Sequence, residues 1–208
     1  MDTHQHQHQH HLPTSPPEIW HTTTGTPGSP TLLLLHGLFS SHLEFSALLP
    51  HLTPYYFILL VDLPGHSNSQ SATLNTTTTY RFPEITSALA TLIRTSSPSG
   101  TAHLAGLSYG GFLALSLARA HPELVASVFT SGSAPWAGIQ RFVATRPRLL
   151  WCVIAPPILY VPDSLFAWLL KQMGLADLEA MREESKRNFS NELMRAGFED
   201  CAGSGWRW

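Results

Sequence analysis

A serine flanked by glycines is the motif in this chain whose spacing points most directly to chemistry. Residues 106–110 read Gly-Leu-Ser-Tyr-Gly, the G-x-S-x-G pattern, with Ser108 at its centre. An apolar run precedes the motif and a helix-forming segment at 112–120 follows it, so the pattern predicts a strand, a sharp turn and a helix. Such a turn, a nucleophile elbow, makes the serine hydroxyl project clear of the sheet. Gly106 and Gly110 let strand and helix approach without a Cβ clash. An ordinary strand-to-helix turn that contains a serine is the alternative interpretation.

The segments around this motif predict the frame that must position it. Continuous apolar runs are typical of parallel strands that are buried on both faces, and helical spacing of apolar residues separates these runs. Alternation of strand and helix favours an α/β fold with a parallel sheet. The predicted elements are an edge strand at 19–24, buried strands at 31–35, 56–61 and 124–130, a strand just before Ser108, and helices at 40–52, 80–93 and 112–120.

Three motifs follow the predicted strands in a fixed order. They are His36-Gly37 after the first buried strand, Asp62-x-Pro64-Gly65-His66-Ser67 after the second, and the Ser108 turn. With these motifs the chain resembles the α/β-hydrolase fold superfamily, in the branch built on the simple α/β-hydrolase domain. The resemblance covers about residues 31–135. It implies an α/β fold with a doubly wound, mostly parallel sheet and a helical cap.

The resemblance also implies a division of the chain. We expect a disordered His- and Pro-rich tail at 1–18, the N-terminal part of the hydrolase core at 19–135, a helical cap at 136–200 and an irregular tail at 201–208. We further expect the chain to be truncated after the cap, without the C-terminal part of the core. The apolar stretch at 149–170 is interpreted as cap and not as a membrane span, because prolines interrupt it.

Roles for individual residues follow from the resemblance. Ser108 is expected to be the nucleophile that attacks an acyl carbon, and the backbone N–H groups of Leu38 and Tyr109 are expected to form the oxyanion hole. Gly37 is a glycine of the oxyanion loop, as Gly106 and Gly110 are of the elbow. Asp62 is expected to organise a loop and not to catalyse. A serine at this position, where other branches carry aspartate, favours esters, thioesters or amides as substrates over halides or epoxides.

A general base for the serine is hard to find in the sequence. In this superfamily an acid and then a histidine follow the cap, yet this sequence has no histidine after His121. His103 and His121 are excluded as bases because each is expected about 15 Å from Ser108, along a strand or a helix. His36 remains as a weak substitute at the rim of the site. Acids in the cap, Asp163, Asp177 and Glu179, have no positional support.

Three functional hypotheses remain open from the sequence. The first is a serine hydrolase whose sequence stops early. The second is a non-catalytic, hydrolase-like module that binds a small apolar ligand or a partner through the cap. The third is an enzyme whose base and acid come from another chain. A chain that ends after the cap leaves the strand at 124–130 as an unpaired apolar edge, which predicts self-association through that edge.

Composition excludes several other classes of protein. Charged residues are 12% of the chain and the net charge is −2, so no nucleic-acid-binding surface is expected. The first lysine or arginine is Arg81, which leaves no basic region for a signal or transit peptide, and a cytoplasmic protein is expected. The two cysteines, Cys152 and Cys201, are expected to be free thiols. Alternating histidines at 4–11 could hold a divalent metal, but a disordered tail is favoured, and no cofactor or metal is expected.

Overall fold

The computed structural model describes residues 19–69 and 82–133, together with residues 162, 164, 165 and 168. The predicted tails at 1–18 and 201–208 lie outside the described residues, as does nearly all of the predicted cap at 136–200. The cap acids Asp163, Asp177 and Glu179 lie outside them as well. Nearly all of the described residues thus belong to the region that is predicted to be the hydrolase core.

A five-stranded sheet forms the centre of the described region, in the order β1-β3-β2-β4-β5. Strand β2 pairs in parallel with both β3 and β4, and β4 pairs in parallel with β5, whereas the edge strand β1 is antiparallel to β3. This is the predicted doubly wound, mostly parallel sheet. The strands are β1 (His21–Gly25), β2 (Thr31–Leu35), β3 (Phe57–Val61), β4 (Ala102–Leu107) and β5 (Val125–Ser131).

Side chains of the central strands pack into two clusters, one on each face of the sheet. From β2, Leu33 and Leu35 point to the face covered by α2 (Phe82–Ser96) and α3 (Tyr109–Ala120). Leu32 and Leu34 point to the opposite face, where Phe45 packs on them. Because both faces are covered, β2 needs apolar residues at successive positions, which explains its uninterrupted run of leucines.

The two long helices confirm the sequence-based prediction. Helix α2 carries Pro83 in its first turn. Proline has no N–H, but backbone N–H groups in the first turn of a helix have no partner within the helix, so no helical hydrogen bond is lost. Helix α3 ends at Ala120, because His121 is followed by Pro122 and the residue before a proline disfavours helical backbone. Within the described part of the chain, no helix is both long and apolar enough to cross a membrane.

The predicted helix over 40–52 is wrong as a single element. The segment forms a 3₁₀ helix at His42–Phe45 and then the single turn α1 (Leu49–Leu52). Pro50 explains the break: inside a continuous helix it would lack the N–H for the carbonyl of Ser46 and its ring would clash with that carbonyl. The chain therefore restarts its helix with Pro50 in the first turn.

Strand β5 exists as predicted, but the prediction that it is buried is wrong. All seven of its side chains are exposed or half-buried, and Phe129 is 64% exposed. The physical reason is its place at the edge of the described sheet, with β4 as its neighbour. The strand contains no charge and no proline, the residues that commonly protect sheet edges. Self-association through this edge stays a prediction.

We expect Leu33→Ala to lower the free energy of unfolding by about 2–5 kcal/mol, because Leu33 is 0% exposed and the truncation leaves a cavity between β2 and the helices. Leu48→Ala is the matched control, since Leu48 is 50% exposed, and it should change stability by less than about 0.5 kcal/mol. Urea unfolding followed by circular dichroism measures both. Equal effects of the two variants would contradict this placement of the core.

Candidate functional site

Ser108 occupies a strained turn between β4 and α3. Its backbone has φ 48° and ψ −109°, a region that residues with a side chain rarely adopt. Two neighbours from the end of β5 hold it there: the Ser108 N–H donates to the Ser131 carbonyl (2.7 Å), and the Ser133 hydroxyl donates to the Ser108 carbonyl (2.8 Å). Sequence reasoning missed Ser131 and Ser133, because nothing in the spacing shows that the end of β5 touches the turn.

Glycines surround the turn because backbones approach one another there. A Cβ on Gly106 would lie 2.5 Å from the carbonyl carbon of Gly110, and a Cβ on Gly110 would overlap the carbonyl oxygen of Leu35 at the end of β2. A Cβ on Gly111 would overlap the Ser133 hydroxyl, a constraint that the sequence did not reveal. The start of α3 is therefore packed directly onto the ends of β2 and β4.

The register of the sheet brings the loop after β2 to the same edge as Ser108. Leu35 and Gly106 are partners in the adjacent strands β2 and β4, which run in parallel at about 4.8 Å spacing. Leu38 follows three residues after Leu35, and Ser108 follows two residues after Gly106. Two of the predicted site segments are thus neighbours at the carboxyl edge of the sheet, where open α/β sheets bind ligands.

Hydrogen bonds fix the residues on either side of Leu38. The Gly37 N–H donates to Oε2 of Glu44 (2.7 Å), and the Phe39 N–H donates to Nε2 of His66 (3.2 Å). Among the described residues, no acceptor is hydrogen-bonded to the N–H of Leu38. Phe39 has φ 68°, which is unfavourable for a residue with a side chain, so the loop is bent sharply just after Leu38.

Two buried histidines join the loop after β2 to the loop after β3. Nε2 of His36, in the loop after β2, accepts the Leu63 N–H of the loop after β3 (2.9 Å). Nε2 of His66, in the loop after β3, accepts the Phe39 N–H of the loop after β2 (3.2 Å). Their Nδ1 atoms lie 2.7 Å from the Gly37 carbonyl and 3.1 Å from the Pro64 carbonyl, so both rings are neutral with the proton on Nδ1. Burial lowers the pKa of His36 to about 4 and that of His66 to about 3.

Asp62 anchors the beginning of the 3₁₀ helix to the end of β3. Oδ1 accepts from the backbone N–H of His42 and contacts its Nδ1, both at 2.8 Å, and Oδ2 accepts from the N–H and the side-chain amide of Asn68. Burial of the carboxyl opposes its ionisation, but the hydrogen bonds and the charge of His42 outweigh burial and lower the pKa of Asp62. The contacts are those of a residue that organises loops.

None of the described histidines is placed to take a proton from Ser108. His36 and His66 use both ring nitrogens for hydrogen bonds within the loops. This excludes His36, which the sequence left as a weak substitute for the base. His103 lies at the opposite end of β4, about 15 Å away by strand length, and its Nδ1 contacts Ser127 at 2.8 Å. His21 reaches the carboxyl edge, but β1 is three strands from β4, about 14 Å.

The histidines at helix ends and in the 3₁₀ helix are no better placed. His121 follows the far end of α3, about 18 Å from Ser108 along the helix. His51 belongs to α1, which leads into the amino-terminal end of β3. His42 packs on Trp20 (ring centroids 4.8 Å apart), which directly precedes the edge strand β1, three strands from β4. A base for Ser108 is therefore not found within residues 19–69 and 82–133.

Tyr109 links the start of α3 to the histidine pair. Its ring stacks on His66 with centroids 6.1 Å apart and meets Phe82 edge-on at 5.5 Å. His66 in turn contacts His36 edge-on at 4.9 Å. These rings pack the first turn of α3 against the loop that carries Leu38. The positive end of the α3 dipole consequently points to the carboxyl edge beside Ser108.

Comparison with known proteins agrees with this architecture. A sequence profile for the alpha/beta hydrolase fold matches residues 30–173. A pimeloyl-[acyl-carrier protein] methyl ester esterase from Aeromonas hydrophila is 32% identical over 166 residues, which cover 79% of this chain and 59% of that protein. An AB hydrolase superfamily protein from Gibberella zeae is 36% identical over 107 residues, covering 51% of this chain and 36% of that protein.

A solved structure extends the comparison to the fold. The crystal structure of a hydrolase from Pseudomonas aeruginosa superposes with a TM-score of 0.64 at 19% identity, covering 90% of this chain and 68% of the other. The chain thus spans well under two thirds of the curated relatives it matches, and about two thirds of this structural neighbour.

We expect folding stability to decline as the pH falls from about 6.5 towards 4, because the unfolded chain protonates His36 and His66 near pH 6.5 whereas the folded chain protonates them near 4 and 3. The unfolded state binds more protons in this window, so stability rises with pH and is fully present above about 6.5. Each histidine should account for on the order of 3 kcal/mol between pH 7 and 4.

His66→Gln isolates one of these contributions. Urea unfolding at a series of pH values should give a stability curve for this variant that falls less steeply below pH 6.5 than that of the wild type. His51→Gln is the control for removing a surface histidine. Parallel curves for the wild type and His66→Gln would show that His66 is not held neutral in the folded chain.

Proposed function

The chain belongs to the alpha/beta hydrolase fold family, and from that premise we propose that it is a serine hydrolase that cleaves a carboxylic ester, thioester or amide. The observation that carries the proposal is the backbone of Ser108, held at φ 48° between β4 and the first turn of α3. This strained conformation is typical of a nucleophile elbow, which presents its serine hydroxyl at the carboxyl edge of the sheet, where α/β sheets bind ligands. The name of the relative from Aeromonas hydrophila favours an ester as the substrate.

The proposed reaction proceeds through an acyl-enzyme. Oγ of Ser108 forms a bond to the acyl carbon, the bond to the leaving alcohol, thiol or amine breaks, and the hydroxyl proton passes through a base to the leaving group. Water then attacks the acyl carbon, releases the acid and returns the proton to Ser108. The base is a group outside the described residues, in this chain or in another.

Two backbone N–H groups are proposed to stabilise the oxyanion. The Leu38 N–H is the donor in its loop that Glu44 and His66 do not occupy, and Tyr109 begins the helix immediately after the serine. Both belong to segments at the same edge of the sheet. Loss of one such donor from an oxyanion hole reduces kcat by about 10²–10³-fold in other serine hydrolases.

A non-catalytic module that binds an apolar ligand is the second candidate. The observation that favours it is the engagement or distance of every described histidine, which leaves Ser108 without a described base. A module of this kind would keep the fold and the binding edge but would not react. The two candidates differ in whether Ser108 forms a covalent bond.

Labelling with a fluorophosphonate distinguishes these candidates, because Oγ of an activated serine displaces fluoride from phosphorus. We expect the folded chain to be labelled at Ser108 and Ser108→Ala to lose the label. Ser127→Ala is the matched control: Ser127 also contacts a histidine, His103 at 2.8 Å, but lies at the other end of the sheet. It should be labelled like the wild type.

Peptide mapping by mass spectrometry identifies the labelled residue. A folded wild-type chain that takes up no label would contradict the proposal and leave the binding module. A label that survives Ser108→Ala but is lost in Ser127→Ala would contradict the assignment of the nucleophile.

A further inference from the structure

Two side chains outside the Ser108 turn hold the loop that carries Leu38. Glu44 accepts the N–H of Gly37, the residue before Leu38, and His66 accepts the N–H of Phe39, the residue after it. The sequence did not indicate a role for Glu44, nor the hydrogen bonds that His36 and His66 make to each other's loops. Because the flanking N–H groups are occupied, the peptide group between them has little freedom to rotate.

Glu44 is itself fixed by the structure around it. It lies in the first turn of the 3₁₀ helix at His42–Phe45, whose start is bonded to Asp62 and whose N-cap, Ser41, accepts the Leu43 N–H. The side chain is half-buried, and both carboxylate oxygens lie within 3.7 Å of the position that a Cβ on Gly37 would take. It therefore reaches the loop from a rigid element and not from a flexible one.

The loop needs such support because its conformation is unfavourable by itself. Phe39 has a left-handed backbone, which costs roughly 1–2 kcal/mol for a residue with a Cβ. The Gly37 carbonyl belongs to the same planar peptide as the Leu38 N–H, and it accepts from the Ser40 N–H (3.3 Å) and from Nδ1 of His36 (2.7 Å). Glu44 and His66 hold the two peptide groups that flank this one, so without them the backbone on either side can shift and move the Leu38 N–H with it.

We propose that Glu44 and His66 are positioning residues which hold Gly37 and Phe39 so that the N–H of Leu38 points to the oxyanion of the reaction on Ser108. The inference rests on the proposed function for its catalytic part. Its structural part, that these two side chains fix the loop, stands on the contacts alone. Glu44 and His66 act through Leu38 and touch no substrate.

A pair of substitutions at Glu44 tests the catalytic part. Glu44→Ala removes the acceptor and should lower kcat for hydrolysis of p-nitrophenyl butyrate by about 10–100-fold with little change in KM, since the interaction strengthens only when the oxyanion forms. Glu44→Gln keeps an oxygen acceptor and should restore kcat to within a few-fold of the wild type. Glu123→Ala, an exposed acid paired with Arg94 near the far end of α3, is the control and should not change kcat.

Amide hydrogen exchange tests the structural part without activity. We expect the Gly37 N–H to exchange at least tenfold faster in Glu44→Ala than in the wild type or Glu44→Gln, and the Phe39 N–H to do so in His66→Phe, which keeps a ring but loses the acceptor. If exchange at Gly37 does not change in Glu44→Ala, the inference is overturned.

The two measurements separate failure of the inference from failure of the proposed function. Faster exchange with an unchanged kcat in Glu44→Ala would overturn the positioning role, because the contact would then be merely structural. A wild-type chain that neither hydrolyses the ester nor takes up the fluorophosphonate would contradict the proposed function. In that case the exchange rates at Gly37 and Phe39 still decide whether Glu44 and His66 fix the loop.

Discussion

The close approach of three backbones at the start of α3 is the constraint on which the site depends. The turn between β4 and α3 leaves no room for a Cβ at Gly106 or Gly110, and Gly110 lies directly against the end of β2. This packing forces Ser108 into a left-handed backbone and brings it beside the loop that carries Leu38. The sheet and helices can be viewed as the support that keeps this turn from relaxing.

Buried polar groups provide the second part of that support. His36 and His66 exchange hydrogen bonds between two loops, and Asp62 joins the second of those loops to the 3₁₀ helix. A neutral, buried histidine can accept one N–H and donate one, which suits a residue that must connect two backbone segments. The acceptor nitrogen of each ring is hydrogen-bonded to a backbone N–H, so His36 and His66 fix the loop conformation and are not free to accept a proton.

Much of this fold can be predicted from the sequence because its signals are local. Apolar runs mark β2 and β3, and the glycine spacing around Ser108 marks the turn without any knowledge of the partner strands. The prediction of one helix over 40–52 is wrong because the apolar spacing continues through Pro50, whereas a helical backbone cannot continue through a proline without a break. The prediction that β5 is buried is wrong because an apolar run looks the same in a central strand and in an edge strand, although an unpaired edge at this strand is itself predicted for a chain that ends after the cap.

The contacts between the loops could not be predicted from the sequence for a different reason. His36 and Leu63, like Phe39 and His66, are 27 residues apart, and only the parallel pairing of β2 with β3 brings them together. Ser133 touches Ser108 from 25 residues away. Such pairs depend on strand order and register, which residue spacing in one sequence does not specify.

A crystal structure of the chain with a phosphonate bound covalently to Ser108 would show directly whether the Leu38 and Tyr109 N–H groups form an oxyanion hole. We predict that the phosphoryl oxygen lies about 2.7–3.1 Å from both the Leu38 and the Tyr109 backbone nitrogens. We also predict that Gly37 and Phe39 keep their contacts with Glu44 and His66. A phosphoryl oxygen that points to solvent, or a Leu38 N–H that points away from it, would show that these two N–H groups do not form the oxyanion hole.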